Sequence, residues 1–368
     1  MFFHSKFTVD LTAIAQNAVN AARALGGTAI IPVLKGNAYG HGAAEVLRAL
    51  DGAIPFDCIA VAHVSEAAEL RNAGCEKKIM LVSAAPRGLI PDALALGVIL
   101  PVGDVDTVAA IARAAEKPTA VQIKINSGLN RFGASAGAEL DAVIRAVKAQ
   151  PKLKITGAYT HFSLLDKIDE STARQQLSAY LNGVAQIEAA GIAVPLRHAA
   201  ASNVSEWFPS ANLDAVRLGR RLFMGPPPGG APDDGSVTEP GTWASSVTAV
   251  RTLERGERFG YGGSFTAENR MKIAVAAAGY GDGLSEAVCA AGAPVLVDGR
   301  RARLLAAFMD SCLIDVTDCD CRLGSEVVFF GRAADGAFLS AREVAAAIGE
   351  EGVLLTSRLS ARVEHKYV

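Results

Sequence analysis

Net charge is nearly absent from this chain of 368 residues: 36 Lys and Arg stand against 38 Asp and Glu, a balance of −2. Such a balance offers no basic field for nucleic acid and no cationic patch for an anionic membrane. Cysteine is scarce as well, with six residues scattered too widely for a disulfide scaffold. Cys312, Cys319 and Cys321 come nearest to a metal pattern, but C-x-C has no second pair and no histidine close by, so they read as loop cysteines and no metal is expected. No apolar stretch approaches the roughly 18 residues that a spanning helix needs. The N-terminal segment MFFHSKFTVD has no apolar h-region and no cleavage site. The expectation is a soluble cytoplasmic protein, with neither membrane nor nucleic acid among its partners.

What the chain does have is apolar content, 50% of its residues, enough for one long domain and a second one. Eight short apolar runs follow one another through the first 220 residues: TAIIPVLK (28–35), CIAVAHV (58–64), KIMLVSA (78–84), GVILPVG (97–103), AVQIKIN (120–126), ITGAYTHF (155–162), LRHAAAS (196–202) and AVRLG (215–219). Helical patterns separate them, among them SEAAELRNAG, with Ser65 as N-cap and Gly74 just past the end, and DVDTVAAIARAAE. Near-continuous apolar strands alternating with helices mean a parallel sheet covered on both faces. Eight such units predict a (β/α)8 TIM barrel with its active site at the C-terminal strand ends. A Pro/Gly-dense connector, GPPPGGAPDDGSVTEPG, follows. Beyond it, alternating runs such as ASSVTAVRTL, MKIAVAAAGYG, APVLVDG and SEVVFFG predict a mainly antiparallel β domain, with one helix at SAREVAAAIG. The expected division is 1–10 as an N-terminal strand packed with the β domain, 11–228 as the barrel and 229–368 as the β domain.

Polar residues collect where a barrel places its site. Lys35 closes the first strand, His161 the sixth and Ser202 the seventh, while Arg217 lies in the eighth ahead of Gly219. The fifth strand runs into KINSGLNRFG, where Lys124 and Arg131 flank a Gly/Asn turn. A strand-end lysine can simply snorkel into water. A lysine at a barrel mouth is also an amine able to condense with a carbonyl. Ser and Gly after strands seven and eight are where such barrels bind phosphate. A phosphate-bearing cofactor with a lysine partner points to pyridoxal 5′-phosphate (PLP), with an arginine among the residues able to face its ring nitrogen.

On these segments, and on VLKGNAYGHG, YTHFS, FGYGGSFTA, GYGDG and FMD, the whole chain resembles the alanine racemase family of fold-type III PLP enzymes. The resemblance implies that Lys35 carries PLP covalently and that Tyr39, Ser202 and the backbone of Gly219 and Arg220 bind its phosphate. By the same resemblance Arg217 faces the pyridine nitrogen, His161 supports Arg217 and packs near the ring, and Arg131 binds near the cofactor hydroxyl and the substrate carboxylate. Lys124 matches a lysine that is often carbamylated in the family. The resemblance also implies that the backbone at Met309 contacts the substrate carboxylate and that Tyr280 and Asp310 help frame a narrow entry. Tyr261, from the partner subunit, is the second base opposite Lys35, so the resemblance implies a homodimer with active sites shared across the interface. The implied activity is a two-base interconversion of L- and D-alanine, in D-alanine biosynthesis for cell-wall precursors.

Four departures from the family pattern involve five positions. Ala201 replaces an asparagine, Phe308 stands where cysteine is frequent, Arg220 and Arg221 follow Gly219, and Ala361 takes the place of a tyrosine that bounds the pocket. One missing pocket group changes discrimination by only about 1–3 kcal/mol. Alanine therefore stays the first expectation, with a broader amino-acid racemase (serine or larger side chains) beside it. A decarboxylase or D-amino-acid aldolase of the same fold type is a further alternative, which Tyr261 argues against because those reactions need no second base there. A non-catalytic PLP-binding protein is another, and it leaves the β domain unexplained.

Overall fold

A computed structural model describes residues 4–164, 169–226 and 235–368. The chain divides into two compact units: residues 15–38 with 43–237, and residues 1–14 with 39–42 and 238–368. The expected boundary at residue 228 lies outside the described residues, as do residues 227–234 of the Pro/Gly connector.

Strand β1 (Lys6–Val9) belongs to the second unit. The first unit is built on eight parallel strands: β2 (Ala29–Pro32), β3 (Cys58–Val61), β4 (Lys78–Leu81), β5 (Val98–Val102), β6 (Thr119–Lys124), β7 (Leu153–Tyr159), β8 (Arg197–His198) and β9 (Ala215–Leu218). β3 to β8 pair in chain order, and β2 pairs with β9. Bridges at Val33–Ala60 and Ala201–Arg217 join the two sets and close the barrel. Closure buries both faces, and β3 and β5 are buried at every residue, which is why they read as unbroken apolar runs.

Caps set the helix starts. The Asp104 carboxylate accepts from Thr107 N at 2.7 Å and begins the helix Val105–Ala114. The helix expected to begin from a Ser65 cap begins at Val64 instead. The Glu66 carboxylate caps it by accepting from Ala62 N and His63 N at 2.8 and 2.9 Å, a task Ser65 was expected to perform. Gly74, at φ +87°, ends the turn after it.

The second unit continues with β10 (Gly241–Leu253), β11 (Arg258–Phe259), β12 (Phe265–Thr266), β13 (Met271–Ala276), β14 (Pro294–Val297), β15 (Arg300–Ala307), β16 (Cys312–Asp315), β17 (Glu326–Arg332), β18 (Phe338–Leu339) and β19 (Glu364–Tyr367). β17, β14, β15, β16, β13 and β10 are neighbours in that order, and β10 also pairs with β17. The six therefore form a closed antiparallel ring, which leaves them no free edge. The thirteen residues of β10 make this possible: Trp243–Ser246 pair with β17, and Val247–Leu253 with β13. β1 adds to β10 in antiparallel fashion and pairs in parallel with β19.

Candidate active site

Strand β2 stops at Pro32, so Lys35 lies beyond it rather than closing it, and opens a tight turn. Gly36, Asn37, Ala38 and Tyr39 all have positive φ, between 52° and 61°, a left-handed turn. Non-glycine residues enter that region at about 1–2 kcal/mol each, so other contacts must impose it. Three do so: Glu66 Oε1 accepts from Gly36 N at 2.6 Å, Asn37 Oδ1 from Ala43 N at 2.8 Å and Leu34 O from Ala38 N at 2.8 Å. Burial, reinforced by the charges of Arg131 and Arg217 and opposed by Glu66, lowers the Lys35 pKa. The amine is thereby freer to act as a nucleophile near neutral pH.

Arg217, 3% exposed, is held from behind. Its Nη1 donates to His198 Nδ1 at 2.9 Å and His198 O at 2.8 Å, and its Nη2 donates to Thr160 O at 2.7 Å and Ala199 O at 2.8 Å. A guanidinium has five N–H donors. The fifth, on Nε, meets no acceptor among the described residues. Burial lowers the Arg217 pKa only to about 10, which leaves it charged at neutral pH. The histidine that supports it is His198, and not His161 as the sequence led us to expect. β8 ends at His198 beside β9, whereas His161 lies past the end of β7 and hydrogen-bonds no described residue.

Tyr159 stacks on His198, with centroids 5.2 Å apart and planes at 8°, and its buried hydroxyl has no hydrogen-bond partner among the described residues. Lys124, 2% exposed, lies 5.4 Å from the ring centres of Tyr159 and Phe132 and donates to Ile125 O at 2.8 Å. Burial, then Arg217 and Arg131, lowers its pKa to about 7. Gly133 makes room for it: a Cβ there would sit 2.8 Å from Lys124 Cγ. His161 is pushed down to about 3 by burial and by Arg217, Arg131, Lys35 and Lys124, so its ring is neutral at pH 7. Arg131 is exposed and pairs with no carboxylate among the described residues.

Ser202 Oγ accepts from Gly219 N at 3.0 Å and lies 3.4 Å from Arg221 N, so a hydroxyl and two backbone donors converge there. Both arginines after Gly219 turn away. Arg220 donates to Gly225 O, and Arg221 pairs with Glu206 at 2.8 Å. Tyr39 belongs to the second unit with His41, whose Nδ1 lies 3.1 Å from Tyr39 O.

The second unit gathers the other expected residues. Tyr261, 80% exposed, sits in the loop of the β11–β12 hairpin, which stacked Phe259 and Phe265 pin at 5.3 Å. Its ring meets Phe308 edge-on at 5.0 Å. Tyr280 N and Gly281 N donate to Phe308 O and Met309 O at 2.8 and 2.9 Å, which joins the loop of Tyr280 to that of exposed Met309 and Asp310. Gly279 permits the approach, since a Cβ would fall 2.1 Å from Phe308 O. Ala361 is exposed in a turn before β19.

The donor set of the first unit fits PLP. Lys35 and Lys124 each feel the charges of Arg131 and Arg217, and Glu66 is the anion that offsets Lys35. So much positive charge suits a phosphate and a carboxylate. Among the described residues no cluster could hold a metal ion. Sequence reasoning missed His198, Tyr159, Gln122 and Glu66. The first three are polar residues inside strand runs that it did use, so the signal was present, and Glu66 was visible as a capping carboxylate.

Two family models match the chain: the N-terminal domain of alanine racemase over residues 9–227 and its C-terminal domain over 241–367. The alanine racemase of Desulforamulus reducens is 34% identical over 369 residues, 98% of each chain. Among solved structures, the biosynthetic alanine racemase of Pseudomonas aeruginosa matches at 30% identity and a TM-score of 0.87, with all of both chains covered. That of Streptomyces coelicolor matches at 28% identity and 0.90, covering 99% of this chain and 98% of the other.

Proposed function

This chain belongs to the alanine racemase family, and from that premise we propose which of its residues interconvert L- and D-alanine. The protein is a PLP-dependent isomerase with a small amino acid as substrate. Lys35 would hold the cofactor covalently through Nζ. Ser202, Tyr39 and the backbone at Gly219 and Arg220 would take its phosphate, Arg217 Nε its ring nitrogen and Arg131 its hydroxyl side together with the substrate carboxylate. Neutral His161 would lie beside the ring. The backbone at Met309 would contact that carboxylate, and Tyr280 and Asp310 would frame the entry.

When bound, PLP draws electrons from the amino acid's α-carbon and makes its proton removable. Inverting that carbon needs a base on each face. Lys35 Nζ serves one face, and its lowered pKa favours the neutral amine that accepts a proton. Tyr261 Oη of the partner subunit serves the other, which makes the working form a homodimer. Arg217 donates a hydrogen bond without surrendering its proton, because a guanidinium stays charged throughout. It therefore limits how far negative charge is drawn into the ring and disfavours side reactions. The protein is assigned to the cytoplasm, in keeping with described helices that are all too short or too polar to cross a membrane.

The observation that carries this assignment is Arg217, buried and charged, with four donors engaged and one to spare. In deuterated water with PLP, L-alanine should yield D-alanine with deuterium at Cα, and borohydride treatment should leave the pyridoxyl label on Lys35. Protium at Cα in the early product, or a label on another lysine, would overturn these roles.

A further inference from the structure

His198 is caught between two partners, and the chemistry of one decides the other. Arg217 can only donate, so His198 Nδ1 must accept. A neutral imidazole that accepts on Nδ1 carries its proton on Nε2. That nitrogen lies 2.8 Å from Gln122 Oε1. Gln122, 2% exposed on β6, is thus the acceptor at the end of a line that runs from the Nε2–H of His198 to the guanidinium.

The sheet is built to aim this amide. Between β6 and β7 the register shifts: Val121 faces Ile155 but Gln122 faces Gly157, so Thr156 is an extra residue on β7. Such a bulge re-aims the side chains beside it. The residue opposite Gln122 is a glycine, and a Cβ at Gly157 would come within 3.3 Å of Gln122 Nε2 and 2.4 Å of Leu196 O. On its other side Gln122 lines a cavity of about 850 Å³ at the N-terminal ends of the strands, walled by Ile31, Ile99, Ile155 and Leu196.

We infer that Gln122 is a positioning residue, which fixes the tautomer of His198 and through it the direction in which Arg217 presents Nε–H. The inference rests on the reading of Arg217 as the partner of the cofactor's ring nitrogen. Without the amide oxygen, His198 Nε2–H loses its acceptor, and the other tautomer would set N–H against N–H at Arg217 and turn the guanidinium.

The test uses the full-length chain with nitrogen-15 histidine, free of cofactor and then loaded. Unliganded wild type should show His198 neutral and protonated on Nε2, the resonance being assigned by its loss in His198→Asn. Gln122→Glu keeps an acceptor and should keep that tautomer. Gln122→Met is close in size, has apolar walls to rest on, and should lose it. Loaded with PLP, Gln122→Met should move the cofactor's absorption spectrum and lower kcat about tenfold, with KM for alanine changed less than threefold, while Gln122→Glu restores both. A wild-type His198 protonated on Nδ1, or a Gln122→Met protein with unchanged tautomer, overturns the inference. Arg217→Lys separates it from the reading beneath. If Arg217→Lys moves the spectrum and Gln122→Met does not, the positioning role fails; if Arg217→Lys leaves the spectrum unmoved, the reading of Arg217 fails.

Discussion

Lys124 shows how burial turns a common surface residue into a chemical one. Its pKa falls from 10.5 to about 7, with burial as the main cause. Between those two values the unfolded chain holds a proton that the folded chain has released, so stability rises with pH across that window and is flat below it. The slope from this one group is at most about 1.4 kcal/mol per pH unit. Unfolding measured on the unliganded protein from pH 7 to 10 should show wild type gaining on Lys124→Met as pH rises; parallel curves would refute the shift. A half-neutral amine at pH 7 can also add carbon dioxide. The carbamate would bring an anion to Arg131, which has no carboxylate partner among the described residues, and an acceptor near the unpartnered Tyr159 hydroxyl. Carbon-13 bicarbonate should give a carbamate resonance in wild type that is lost in Lys124→Ala. No signal in wild type would rule the modification out.

At the scale of elements, the turn after β2 and the bulge beside β6 do the positioning. The left-handed run Gly36–Tyr39 holds two residues, Ala38 and Tyr39, that gain nothing locally from positive φ. Asn37 tolerates that conformation and also ties the turn to Ala43 N. Asn37→Ala removes both advantages and should cost about 1–2 kcal/mol in denaturant unfolding. It should also slow borohydride labelling of Lys35, because the amine loses its placement. A variant as stable as wild type and labelled at the same rate would show that the bonds to Glu66 and Leu34 O suffice. Neither device could be read from propensity. KGNAYG reads as a glycine-rich loop, and nothing in ITGAY announces an extra residue at Thr156.

At the scale of the molecule, the role proposed for Tyr261 requires an assembly. A ring 80% exposed on a pinned hairpin is placed to be offered to another surface. In the proposed homodimer that surface is a neighbour's barrel mouth, and twofold symmetry makes two shared sites. Lys35→Ala and Tyr261→Phe homodimers should each fall to a small fraction of wild-type activity. Mixed under subunit exchange they should recover, up to a quarter of wild type at equal mixing, since half the dimers then hold one site with both bases. Verified exchange without recovery would place Tyr261 in its own subunit's chemistry or in none.

The sequence by itself determined the barrel and the β domain, because a parallel sheet buried on both faces demands near-continuous apolar runs with helices between them, and eight such units make a barrel. It also marked the strand ends as the place of Lys35, Lys124, Ser202 and Arg217, since polar residues survive in such runs only where they meet a site or a partner. Tertiary structure alone decided the partners. His198 and His161 look alike along the chain, and only barrel closure sets β8 against β9 and gives His198 to Arg217. Likewise Gln122, one of three polar residues in AVQIKIN, acquires a role only when the register shift turns its amide toward His198. Hydrophobic patterning reports which face is buried, but hydrogen-bond geometry depends on register and closure, which no local window of sequence contains.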